Sequence, residues 1–151
     1  MGAKFFTYIN VIDPVIKLMA KRNSGVIVNV IGNGGKIASP VHIPGGAANA
    51  ALMLVTAGLA AAYAPHGIRV VGVNPGLTHT ERVEEGLKAD ARFASISVEE
   101  ARDRSMAGIP LGRMAEPAEI ANVVLFLASE KSSYVTGVTL GMDGAASPAI
   151  I

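Results

Sequence analysis

The sequence predicts an α/β domain, the C-terminal part of a doubly wound parallel sheet with three strands and flanking helices. Two observations carry this. Three short β-branched runs are separated by helical periodicities, the rhythm of strands that alternate with crossover helices. The first two runs are also nearly continuously apolar, as expected of strands covered on both faces.

The elements follow in order. Phe5, Tyr8, Ile9, Ile12, Ile16 and Met19 recur at three- and four-residue steps and predict a first helix ending near Lys21-Arg22 and Asn23-Ser24-Gly25, with a kink at Pro14. Val26-Ile27-Val28-Asn29-Val30, bounded by Gly25 and Gly32, is the first strand. The alanine-rich stretch Ala47 to Ala64 is the second helix. Ile68 to Val73 is the second strand; it follows the turn-like Pro65-His66-Gly67 and stops at Pro75-Gly76. Glu81 to Met106 is charged and weakly periodic, which predicts a mobile helical excursion over one face. Pro117 suits a first helical turn, with Ile120, Val123, Val124 and Leu127 on one face after it. Tyr134 to Leu140 is the third strand, stopping at Asp143-Gly144. No repeat, linker or low-complexity segment interrupts the order, so residues 1–151 form one unit.

Composition narrows the function. The 151 residues are 50% hydrophobic and 17% charged, and the mean hydropathy is +0.42. This is apolar for a small monomer, and it predicts packing against copies of the chain or against a missing piece. Without such a piece the first strand would present an unpaired edge. The net charge of +1 shows no basic run and excludes a nucleic-acid footprint. The absence of cysteine excludes disulfides and thiolate metal sites. No basic segment, apolar core and cleavage site open the chain, and the expected location is cytoplasmic. Gly46 to Pro65 is uncharged and approaches the ~20 residues that span a bilayer. Its alanine and glycine content, with Asn49 and Thr56, predicts a buried or interface helix instead.

Several segments together resemble the short-chain dehydrogenases/reductases. These are Ser24 to Val30, Pro65 to Val70, Asn74-Pro75-Gly76 with Thr80, Pro110-Leu111-Gly112-Arg113, Glu116 to Ala121, Phe126 to Ser129, Val135-Thr136-Gly137 and Asp143-Gly144. The order and spacing fit from about residue 4 to residue 144. The resemblance implies a Rossmann-type, NAD- or NADP-dependent oxidoreductase of roughly 250 residues, a usual length for one α/β domain. It also implies that the family's first half is absent. Neither its Gly-x-x-x-Gly-x-Gly turn nor its Asn-Asn-Ala-Gly segment occurs, so the dinucleotide is expected for the full-length protein and not for this chain alone. Met1 then reads as an interior methionine or a fragment start. Gly32-Asn33-Gly34-Gly35 is glycine-rich, but its spacing is wrong for a phosphate cradle and it reads as a flexible loop.

The resemblance further implies a catalytic tyrosine, a lysine four residues later that lowers its pKa, and a serine thirteen residues before the tyrosine. Those positions hold Gly45, Asn49 and Gly32. The family's helix asparagine falls near Lys4. A glycine cannot transfer a proton. Tyr8, Tyr63 and Tyr134 are accounted for by a helix face, a helix end and a strand. Lys36 and His42 lie in the loop beside the vanished site, and His42 is the substitute acid/base candidate because imidazole titrates near neutrality. His66 reads as a turn residue, and His79 would lie near a bound nicotinamide. For cofactor contacts the resemblance leaves Pro75, Gly76, Leu77 and Thr80, the last also a good helix cap. Leu77 to Ile109 corresponds to the substrate-covering region, its charges forming a solvated face. Homo-oligomers, dimers or tetramers, are expected through the helices near residues 5–22 and 47–64 and the last helix and strand. The alternative is a non-catalytic scaffold or ligand-binding relative that uses the fold without the chemistry. No metal site is expected.

Overall fold

A computed structural model describes residues 2–37 and 42–148. Its centre is a three-stranded parallel sheet in the order β1-β2-β3, with β1 at Gly25–Val30, β2 at Ile68–Pro75 and β3 at Thr139–Met142. Gly25 pairs with Ile68 and Val30 with Val73, while Gly72 pairs with Thr139 and Pro75 with Met142. All three strands therefore end on the same side.

Both faces of the sheet are covered, which explains the unbroken apolar run of β2. Successive strand residues point to opposite faces. Val70 and Ile68 pack with Ile12 and Ile16 of α1 (Thr7–Lys21) and Ala60 of α2 (Ile43–Tyr63). Val71 and Val73 turn the other way, onto Ile120 and Leu127 of α5 (Pro117–Ala128). By length and composition α2 could cross a membrane, but its Ala48, Leu52, Thr56 and Ala60 are buried in this domain.

Three expectations are corrected. The third strand begins at Thr139 rather than Tyr134. Gly137 adopts φ +74, which breaks the pleat, and the Thr136 hydroxyl accepts from Val70 N–H (3.0 Å) where a carbonyl would stand in a ladder. Tyr134 is fully exposed. The second helix starts at Ile43, one turn earlier than expected, with Pro44 in its first turn where its missing N–H is harmless. The charged excursion is two helices, α3 (Glu81–Ala94) and α4 (Val98–Ala107). Thr80 caps the first by accepting from Val83 N–H (3.4 Å), and Ser97 caps the second by accepting from Glu100 N–H (3.0 Å). The first helix opens with a π-helical turn over Gly2–Phe6 and runs to Lys21 with Pro14 inside it.

Candidate active site at the strand ends

In a parallel sheet the loops beyond the C-terminal strand ends are where ligands bind. Here those loops are 31–37, 76–80 and 143–148, and side chains stitch them together. Buried Asn74, the penultimate residue of β2, accepts from Gly32 N–H (3.3 Å) and donates to Met53 Sδ (3.4 Å). Asn33 Nδ2 donates to Asp143 Oδ2 and to Ser147 Oγ, both at 2.7 Å. Deeper, Asn29 Nδ2 donates to Thr56 Oγ1 (3.0 Å) and the Thr56 hydroxyl to Leu52 O (2.8 Å).

The glycine-rich loop is a packed 3-10 turn over Asn33–Gly35. A Cβ on Gly35 would lie 2.6 Å from the Ala50 backbone nitrogen, and one on Gly46 2.8 Å from the Gly34 carbonyl oxygen. These glycines permit close approach to the first turns of α2. The turn is closed against protein and does not fit a pyrophosphate.

Gly32, Gly45 and Asn49, the positions that the resemblance singles out, do come together. An ideal Cβ on Gly32, whose φ is +125, would stand 3.4 Å from Asn49 Nδ2. Asn49 is 5% exposed, and its Oδ1 has no hydrogen-bond partner. A buried acceptor left unpaired costs about 1–3 kcal/mol, so its position asks for a ligand. The space above Gly45 is filled by His42. A Cβ there would lie 2.1 Å from His42 Nε2 and 2.5 Å from Cε1. Above Gly34 the two side chains converge on one point, 3.6 Å from Asn49 Nδ2 and 3.8 Å from His42 Cδ2. His42 and Lys36 both line a cavity of about 330 Å³ bounded by Gly34, Gly35, Gly46 and Ala50.

The tyrosines are occupied elsewhere. Tyr8 donates its hydroxyl to Val30 O, and burial raises its pKa. Four residues earlier Lys4 donates to Ile31 O (2.6 Å); burial, then the Arg82 charge, lowers its pKa. A hydroxyl and an amine thus share one helix face beside β1, yet each ends on a backbone carbonyl. Tyr63 packs in the core with Ile12 and Ala60, and His66 closes a 3-10 turn, Ala64–His66.

The Pro75–Thr80 segment is pinned by its own hydrogen bonds. Gly76 N–H donates to Met142 O (3.0 Å), the Leu77 carbonyl accepts from Ala115 N–H (3.0 Å), and His79 N–H donates to Ala115 O (2.8 Å). Gly76 is needed for space, because a Cβ would stand 2.8 Å from Asp143 Cβ. Leu77 lines a small cavity of about 150 Å³ with Ile109, Leu111, Met142 and Asp143. His79 lies between Glu84 (3.7 Å) and Glu116 (3.5 Å) and is 55% exposed.

Sequence reasoning gave Asn74 and Asn33 no role, since a buried asparagine and an exposed one read alike. It placed His42 beside the site but not over Gly45. Among the described residues no group of histidine, aspartate or glutamate side chains could hold a metal ion.

The family profile described as Enoyl-(Acyl carrier protein) reductase matches residues 1–146. The chain is 33% identical over 141 residues to the NADPH-dependent reductase BacG of Bacillus subtilis (strain 168), covering 93% of this chain and 54% of that protein. It is 38% identical over 135 residues to the 3-oxoacyl-[acyl-carrier-protein] reductase FabG of Thermotoga maritima, covering 89% and 50%. Among solved structures, YwfH, an NADPH-dependent reductase involved in bacilysin biosynthesis, superposes with a TM-score of 0.89 at 30% identity, covering 97% of this chain and 56% of that one. The chain spans about half the length of the curated relatives it matches. It has their parallel Rossmann-type sheet and belongs to the short-chain dehydrogenase/reductase family.

Proposed function

We propose that the chain is the substrate-side half of an NAD(P)-dependent oxidoreductase that interconverts carbonyl and alcohol groups, and that these 151 residues do not turn over alone. The observation that carries the reading is buried Asn49, whose unpartnered Oδ1 faces the strand-end loops where the family's lysine would stand. A ribose hydroxyl donated to that oxygen would satisfy it. The nicotinamide end of a dinucleotide therefore suits the residues present, whereas the closed Asn33–Gly35 turn does not suit its phosphates. When bound, the nicotinamide supplies or accepts a hydride.

The chain's own part is to position. Asn49 would hold the ribose, Pro75, Gly76 and Leu77 would present backbone to the carboxamide, and the Thr80 hydroxyl, which accepts from Val83, keeps its proton free to donate. Gly32, Gly45 and Asn49 remove the usual serine, tyrosine and lysine, so ordinary phenol-based proton transfer is absent. The relatives' names, NADPH-dependent reductase and 3-oxoacyl-[acyl-carrier-protein] reductase, support a reductive direction. The unpartnered Asn49 oxygen favours a ligand-binding role over a purely structural scaffold.

Apolar side chains left outside by the fold support a homo-oligomer. Val11 and Leu18 on α1, Leu54 on α2, Leu125 and Phe126 on α5 and Leu140 on β3 are all exposed.

Calorimetry with NAD and NADP, and NADPH oxidation against a panel of aldehydes and ketones, test the reading. The isolated chain is expected to bind neither dinucleotide tightly and to oxidise no NADPH. Together with a nucleotide-binding half it is expected to do both. Ordinary turnover by the chain alone overturns the inactivity, and no dinucleotide binding by the complete assembly overturns the oxidoreductase reading.

A further inference from the structure

We infer that His42 is the proton donor of this site, standing in for a side chain that residue 45 lacks, and that its substrates are carbonyl compounds bearing a carboxylate. The inference rests on the oxidoreductase reading above.

Three observations point to it. The imidazole occupies the volume that any side chain on residue 45 would enter, with Nε2 2.1 Å from the Cβ position. Glycine at 45 is thus the condition for the ring to sit there. Asn49, among the described residues the other polar side chain that converges above Gly34, is buried with an unsatisfied oxygen, so the imidazole borders a place prepared for a polar ligand. The ring also lines a cavity of about 330 Å³ together with Lys36, whose ammonium is the one lysine or arginine charge in that lining among the described residues. Lys36 makes no ion pair among the described residues, so its ammonium is available to a carboxylate.

The step balances simply. The carbonyl carbon gains a hydride from the reduced nicotinamide. The carbonyl π pair, as it becomes the alkoxide lone pair, takes the proton of the imidazolium Nε2. Alcohol, oxidised nicotinamide and neutral imidazole result, and solvent returns the proton to the ring. Oxidation of the alcohol runs the same path backwards. Placing the acid within hydrogen-bond reach of the forming alkoxide is worth about 10²–10⁴ in rate.

The test uses the chain assembled with its nucleotide-binding half, pyruvate and methyl pyruvate as substrates, and NADPH fluorescence as a separate measure of cofactor binding. His42→Gln is expected to lower kcat by about a hundredfold or more while leaving NADPH binding within about twofold. Gly45→Ala is expected to do the same, because its Cβ must push the ring aside, and to keep the fold intact. Free imidazole is expected to restore part of the activity of His42→Ala, a rescue that a merely structural role would not show. Lys36→Met is expected to raise KM for pyruvate and not for methyl pyruvate. In the isolated chain, the NMR ring signals of His42 are expected to shift in Gly45→Ala while those of His66 and His79 stay in place.

If wild type is active and both His42→Gln and Gly45→Ala keep kcat within about threefold, the role of His42 is overturned and the oxidoreductase reading stands. If Lys36→Met affects acid and ester alike, the carboxylate preference is overturned. If the wild-type assembly binds no dinucleotide and consumes no NADPH, the oxidoreductase reading falls, and the role of His42 with it.

Discussion

Three glycines decide what this site contains. Glycines at 32, 34 and 45 leave volume that Asn49 and His42 enter, each from α2 or its approach. Residue identity alone shows glycine at 45 and asparagine at 49; it does not show that an imidazole occupies the space above Gly45. Asparagines give the opposite lesson. Asn29, Asn49 and Asn74 are all buried; the amide nitrogens of Asn29 and Asn74 donate to Thr56 and Met53, whereas the Asn49 oxygen is fully enclosed and unpartnered. The structural amides can be weighed. Thr56→Val keeps the shape of a fully buried side chain but removes the acceptor of Asn29 Nδ2. It is expected to lower unfolding stability by about 1–3 kcal/mol in urea titrations, with no change in sheet content by circular dichroism.

At the scale of elements, ends and caps matter more than interiors. The start of α5 is held by a capping box in which Glu119 accepts from Glu116 N–H (2.8 Å) while also receiving both arms of the Arg113 guanidinium (2.7 and 2.8 Å). The Arg113 hydrogen bonds, then the Glu116 backbone, lower the Glu119 pKa from 4.5 to about 2. A carboxylate with a depressed folded-state pKa stabilises most above its ordinary value. This contribution is therefore complete above pH 4.5 and is lost as pH falls toward about 2. Arg113→Met is expected to lower the thermal midpoint slightly at neutral pH and to match the parent near pH 2. Equal differences at both pH values would contradict this. The third strand teaches a related point. Its β-branched run starts at Tyr134, and Gly137 N–H already donates to Val70 O (2.8 Å), but the regular ladder begins only at Thr139, after the positive φ of Gly137, because strand propensity does not guarantee ladder geometry.

At the scale of the molecule, the sheet is covered on both faces, yet large apolar side chains remain outside. Leu54 is 76% exposed in the middle of α2 and Leu18 is 62% exposed on α1. Exposed apolar patches of this kind mark interaction surfaces. Leu54→Lys is expected to convert an oligomer of the chain to monomers in sedimentation velocity, leaving the buried face of α2 and its circular dichroism unchanged. A wild-type chain that sediments as a monomer at micromolar concentration would overturn the oligomer reading.

By itself the sequence determined the parallel α/β class, the first two strands within a residue or two, and the sheet-covering helices. Those features are written in local periodicity and in motif spacing, which need no knowledge of distant contacts. Only the tertiary structure decided that the glycine turn packs shut on α2, that Tyr8 and Lys4 are spent on carbonyls at the end of β1, and that His42 stands where residue 45 has no side chain. The reason is physical: which atoms fill a gap depends on segments brought together by the sheet, and no residue carries that information in its own neighbourhood along the chain.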